Sequence, residues 1–369
     1  MSGERTRRLL VEANLASPGD LLRGITAKEI YVMLGFACNI RCPICPFWGT
    51  TGISHDNGDE RWHAPYDGRS LERFLAGMRA YGAQSLNVSG GEPLAFAHWP
   101  EVAAMGRRLG YRVTITTNGS LLERHIEKVR ELADVLQLSF TDPAEWRRGF
   151  RTVDWAPALA RLFAELKKKP GLEIDVNFAI SDLAIGELEA TADAVLGGRM
   201  AIDAFRIVHP MFLSPGMLLA HRAGLGELGS DGDFWRGFGT VPVGVDPDAL
   251  VATLRRLRER YPGIGVFPEI DEPDIPGYYR DPTFLPHRFR ETCAAPWTQA
   301  NVVPNGDVWV CYDVRLGNIH TDEAEAIWNG PAARALRRRI LEKGLFAGCR
   351  GCFNKYSALE GGTAPPPDG

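Results

Sequence analysis

Strand-like and helix-like stretches alternate six times between Lys28 and Pro210, and this alternation narrows the fold more than any other property of the chain. "EIYVMLGF", "SLNVS", "YRVTITTNG", "DVLQLSFTD", "GLEIDVNFAISD" and "IDAFRIVHP" read as strands, each followed by a helical or turn segment. Such alternation builds a parallel sheet with right-handed crossovers. Six units are too few for a full eight-stranded barrel, so the expected architecture is α/β, a partial (β/α)6 barrel open on one side. Helix starts are marked by Ser70 before "LERFLAGMRAYG", by a Ser120–Glu123 capping box, and by Asp246 with Pro247 in "DPDALVATLRRLRERYPG".

The first strand runs into "GFACNIRCPICPFWG", which presents Cys38, Cys42 and Cys45 in the spacing CxxxCxxC. Reactive groups at the carboxyl end of a parallel strand suit this architecture. Three thiolates on so short a loop converge on one point. A structural zinc site wants four ligands in a closed tetrahedron, whereas three leave a position open for chemistry, as in a cubane iron–sulfur cluster. A zinc knuckle or three buried free cysteines is the plainer alternative. One helix and one strand later come Gly90, Gly91, Glu92 and Pro93. The glycines let the backbone turn and approach a ligand, and a carboxylate there can accept hydrogen bonds from an ammonium group.

The cysteine loop resembles the cluster-binding signature of the radical S-adenosylmethionine (SAM) enzymes, and "GGEP" looks like that family's grip on the SAM amino group. The resemblance implies that Cys38, Cys42 and Cys45 hold a 4Fe-4S cluster whose open iron is chelated by SAM. Ile44 stands where the family usually has an aromatic residue near the adenine. Thr117 and Asn118, Ser139 and Thr141, Asn177, and Arg206 with His209 lie at strand ends facing the barrel mouth. By resemblance, Ser139 and Asn177 contact the methionine carboxylate or the ribose, although singly each is more often a turn residue.

Four further cysteines lie in the C-terminal region. Cys293 and Cys311 bracket a hairpin turned at Asn305-Gly306, and Cys349 and Cys352 form a tight CxxC after a helix. On ligand count this closed set is zinc or iron–sulfur, with zinc somewhat favoured. The pattern resembles the twitch subdomain, the shorter relative of SPASM, which implies one auxiliary 4Fe-4S cluster ligated wholly by protein. Three plus four uses all seven cysteines of the chain. The expected divisions are an N-terminal extension over 1–27, the radical SAM partial barrel over 28–285, an α+β twitch or SPASM-like subdomain over 286–355, and a disordered tail over 356–369. Within the barrel, the segment 210–245 has no sustained period but is rich in Met, Phe and Trp, and is read as a cover over the substrate opening. His55 and His63, in the polar loop over 46–68, are read as solvated.

The chain has 369 residues, 45% of them apolar, and a formal charge of −4, which supports a large core and gives no electrostatic footprint for nucleic acid or an anionic membrane. No apolar run reaches the roughly eighteen residues of a membrane span. A cytoplasmic location, where thiols stay reduced, is expected. The family resemblance implies an electron donor such as flavodoxin or ferredoxin, and a 5'-deoxyadenosyl radical that takes a hydrogen atom from a substrate. The expected reaction is a two-electron oxidation in a natural-product pathway, turning an alcohol of a sugar or aminocyclitol into a ketone, with the auxiliary cluster as electron acceptor. His209, Arg206 and Asp142 are the candidate proton acceptors, His209 preferred for its ordinary pKa near neutrality. Peptide modification is the main alternative, set behind because 27 residues before the barrel leave no room for a peptide-docking domain. An epimerase would need a spare thiol, and a non-catalytic zinc module is the reading from another class.

Overall fold

The computed structural model describes residues 2–54, 67–140, 155–182, 185–198, 200–239, 244–281, 283–287, 293–350 and 352. His55, His63, Thr141, Asp142 and the 356–369 tail lie outside the described residues. A small antiparallel pair, β1 (Ala16–Ser17) and β2 (Asp20–Gly24), precedes the main strands. These are β3 (Glu29–Met33), β4 (Ser85–Ser89), β5 (Arg112–Thr117), β6 (Val135–Phe140), β7 (Glu173–Ala179), β8 (Ala204–Val208), β9 (Gly265–Phe267), β10 (Gln299–Val302), β11 (Asp307–Trp309) and β12 (Arg315–Asn318).

These strands form one ten-stranded sheet in the order β12-β11-β10-β3-β4-β5-β6-β7-β8-β9. The six expected barrel strands are β3 to β8. Two more parallel strands flank them: β9 beside β8, and β10 beside β3. At three residues β9 is too short to show a period. Because β11 pairs antiparallel with the outer side of β10, that side is not free to meet β9, and the barrel stays open. The expected division at 286 is therefore no break in the sheet, since Gln299 to Val302 pair in register with Glu29 to Val32.

Period-two alternation sorts the two faces. Ile30, Val88, Ile115, Leu138, Val176 and Ile207 are wholly buried. They face the helices: a Cβ on Gly106 of the helix Trp99–Arg108 would lie 2.4 Å from Leu86 and 3.1 Å from Val113, on that same face. The inner face is polar. Thr116 Oγ1 lies 3.0 Å from Asn87 Oδ1 and 2.9 Å from Gln137 Oε1, and Arg206 Nη1 donates to Asp175 Oδ2 at 2.6 Å. A barrel filled by its own side chains would carry layers of Val, Ile and Leu there.

Two helix starts differ from expectation. The helix Gly68–Arg79 is capped by Asp67, which accepts from the Arg69 amide at 3.0 Å, and Ser70 lies inside it. The helix Leu122–Leu132 has no side-chain cap, because Ser120 is bonded elsewhere. Asp246 caps Pro247–Arg260 as expected, accepting from the amides of Asp248 and Ala249. The segment after β8 holds a helix, Pro215–Gly226, and a 3₁₀ turn, Asp233–Phe238. Among the described residues no helix is long and apolar enough to cross a membrane.

Candidate active site

Past β3 the backbone folds into two consecutive turns, in which the Cys45 amide donates to Cys42 O at 3.0 Å and the Gly49 amide to Cys45 O at 2.7 Å. A Cβ on Gly49 would lie 2.2 Å from Pro43 O, so only glycine fits this return. Arg41 donates to the Cys38 carbonyl and stacks 3.9 Å over the Trp48 ring, whose indole N–H donates to Phe36 O. The loop is thus held from inside. Burial pushes the Cys45 thiol up to about 11, with Cys38 close enough to oppose its ionisation further. Cys38 is also raised, by burial first and then by the nearby Glu92.

The Gly90–Pro93 turn lies directly against this loop. The Gly91 amide donates to Gly35 O at 2.7 Å and the Glu92 amide to Ala37 O at 3.0 Å. Gly90 has φ of 127°, a region that favours glycine, and a Cβ on Gly91 would stand 2.0 Å from Ala37 O.

Glu92, expected to accept hydrogen bonds from an ammonium group, already has donors within the protein. It is fully buried, and its carboxylate accepts from Thr117 Oγ1 at 2.7 Å, the Asn118 amide at 2.8 Å and the Leu94 amide at 3.0 Å. Burial outweighs those three donors and lifts it to about 7. Thr117, 1% exposed, is likewise spent on Glu92 and on the Gly119 amide.

Asn118 reaches further, with Nδ2 at 3.7 Å from Cys38 Sγ and 3.0 Å from Asn39 Oδ1. Asn39 in turn donates to Ser120 Oγ at 2.7 Å, and Ser120 donates to Asn118 Oδ1 at 2.6 Å. This closed triangle ties the cysteine loop to the end of β5. Asn39 was not readable as a site residue, because nothing but its place inside the cysteine spacing marks it.

On the inner face Ser139 and Asn177 are register neighbours, and Asn177 Oδ1 is buried with no partner. A buried acceptor left open costs free energy that a bound polar ligand recovers. Arg206 is engaged by Asp175. The preferred proton acceptor, His209, is misplaced for that role: it is 0% exposed, with Nδ1 2.8 Å from the Tyr279 hydroxyl, and burial lowers its pKa to about 3. Its ring packs against those of Tyr278 and Tyr279, with centroids 6.1 and 5.7 Å away.

The four cysteines of the second group lie near one another. Cys311, half-buried, is raised well above the ordinary thiol range by desolvation and by the proximity of Cys293, Cys349 and Cys352. Arg350 anchors the CxxC turn, donating to the carbonyls of Phe284 and Asp281. The thiols are neighbours rather than a finished shell, for among the described residues no group of three His, Cys, Asp or Glu stands at metal-binding geometry. Their chemistry fits iron–sulfur clusters: soft thiol donors, in one sequence group of three and one of four, whose protons the metal displaces.

Residues 32–169 match the radical SAM superfamily, and residues 293–353 match the SPASM iron–sulfur cluster-binding domain. The chain is a radical SAM enzyme with a C-terminal SPASM domain. Its cofactors are SAM and two 4Fe-4S clusters, one that binds SAM and one auxiliary. The PqqA peptide cyclase of Methylobacterium nodulans is 25% identical over 359 residues, covering 93% of this chain and 80% of that relative. That of Streptomyces rochei is 27% identical, covering 84% and 73%. Among solved structures, Streptococcus suis SuiB bound to its precursor peptide SuiA shares the fold, with a TM-score of 0.56 at 16% identity over 95% of this chain and 75% of that one. The expectation of a sugar or aminocyclitol substrate is overturned by these findings: the relatives that match this radical SAM enzyme over most of its length are named peptide cyclases.

Proposed function

We propose that this enzyme modifies a precursor peptide, closing a ring or cross-link within it. The match to peptide cyclases over nearly the whole chain carries this reading. Cys38, Cys42 and Cys45 hold the SAM-binding cluster, and Cys293, Cys311, Cys349 and Cys352 the auxiliary one. When bound, the clusters and SAM supply a radical that removes a hydrogen atom and an acceptor for the electron left behind. Ring closure of this kind removes two hydrogens and is an oxidation overall. An electron donor such as flavodoxin or ferredoxin belongs to the same reading.

The residues of the chain position and shield. Gly90 and Gly91 bring their backbone against the cysteine loop, Asn118 orients Cys38, and Asn177 offers an unfilled acceptor on the inner face. The polar lining, from the buried Asn87 to the half-buried Arg206, suits the amides of an extended peptide better than an apolar hollow would. Arg206, whose guanidinium donates to Asp175, has further N–H groups that fit a peptide carboxylate.

The test is anaerobic incubation with SAM, reductant and the short peptides encoded beside the gene, read by mass spectrometry. A peptide product lacking two hydrogens, with 5'-deoxyadenosine formed in step, is expected. Yield that rises with sugars or aminocyclitols but with none of the peptides would overturn the assignment.

A further inference from the structure

Phe234 stands between the two cysteine loops. On one side its ring meets Phe47, two residues past Cys45, at 5.5 Å, and Phe47 is stacked at 4.3 Å on Phe36, two residues before Cys38. On the other side it is stacked at 4.6 Å, 18° from parallel, on Tyr312, the residue after Cys311. The backbone of the same 3₁₀ turn repeats the pattern. Toward the first loop, a Cβ on Gly237 would lie 2.2 Å from Pro46 O, and Arg236 donates to Ile53 O at 3.3 Å. Toward the second, the Phe234 amide donates to Asp313 Oδ2 at 2.6 Å and the Trp235 indole to Tyr312 O at 3.0 Å. Asp313 holds a left-handed φ of 67°, uncommon without glycine, to make that contact. A third tie comes from the helix Pro215–Gly226, where His221 Nδ1 accepts from the Gly348 amide, next to Cys349, at 2.9 Å.

The sheet alone does not set how these loops face each other. The first leaves the end of β3 and the second the end of β11, with β10 between them, and loops beyond strand ends move more than the strands. An aromatic stack centred on the buried Phe234 does set it, because close-packed rings resist displacement. We infer that the turn Asp233–Phe238 is a spacer that fixes the separation and orientation of the two cysteine loops, with Phe234 and Gly237 as its positioning residues. This is a different task from covering the substrate opening. The inference rests on the assignment of the seven cysteines and is independent of what the substrate is.

The experiment uses the full chain with both clusters reconstituted anaerobically and reduced by dithionite. Electron paramagnetic resonance reads the magnetic interaction between the clusters, which varies steeply with their separation, and iron is counted on the same samples. Phe234→Ala and Gly237→Ala should keep the iron of both clusters and shift that interaction. Phe234→Tyr, which keeps the ring, and Leu219→Ala, at a 70% exposed position of the same segment, should match the parent protein. An unchanged interaction at full iron content overturns the inference. So does loss of auxiliary iron with no other change, which would make the turn a retaining wall for one site. Should Gly237→Ala fail to fold, Phe234→Leu read by hydrogen exchange decides: faster exchange in both 42–49 and 310–314 upholds the spacer, and faster exchange in one alone rejects it.

Discussion

Glu92 shows how far a motif can be legible while its surroundings are not. "GGEP" after a strand locates the turn, but only the fold shows that the ends of β4 and β5 close over the carboxylate and hand it three protein donors. A pH dependence follows. The group sits at about 7 when folded against 4.5 as an ordinary carboxyl. The stabilisation it gives is complete below pH 4.5 and is lost as pH rises through 7, a swing of roughly 3 kcal/mol. Glu92→Gln, which cannot ionise, should lose less stability than the parent between about pH 4.5 and about pH 7. Urea midpoints under anaerobic conditions check this, and equal slopes for the two proteins would contradict it. His209 is the opposite case: a near-neutral ordinary pKa made it attractive in the sequence, and complete burial removes it from that range.

Elements were read well where the signal is local. The strand "SLNVS" and the helix behind Asp246 stand where their sequences put them. Capping was read less well, because Ser70 and Ser120 have the right residue type but compete with neighbours. Asp67 takes the first cap, and Asn118 with Asn39 takes the Ser120 hydroxyl for the cysteine loop. The contact between the Gly90–Pro93 turn and that loop is likewise invisible in sequence, since it joins separate elements through backbone alone. With 2.0 Å available to a Cβ at Gly91, Gly91→Ala must push the turn off Ala37. Overpacking of this kind costs about 1–3 kcal/mol. SAM binding to the cluster-loaded protein should weaken by roughly tenfold, measured by equilibrium dialysis. Retained affinity would mean that the turn does not shape the SAM pocket.

At the scale of the molecule, β2 and the helix Pro331–Lys343 meet, far apart as they are in sequence. Arg337, wholly buried, donates to Leu22 O at 3.0 Å, Pro296 O at 2.9 Å and Asn329 Oδ1 at 2.9 Å, under the rings of Trp328 and Trp297. Burial lowers its pKa to about 9, still charged at neutrality. Sequence alone made 1–27 an extension without a task, because its partners lie near the other terminus: the Trp297 indole donates to Leu21 O across 276 residues. Arg337→Ala leaves several buried acceptors open at about 1–3 kcal/mol each. It should lower the unfolding free energy by roughly 3 kcal/mol or more, and a midpoint equal to the parent's would show the clamp to be idle. The pairing of β3 with β10 has a further consequence for biosynthesis. A nascent chain emerging from the ribosome exposes one bare edge of its earliest barrel strand until β10 has been made. Such an edge invites pairing between growing chains, so yield in a host cell should depend on chaperone supply more than on the stability of the finished enzyme.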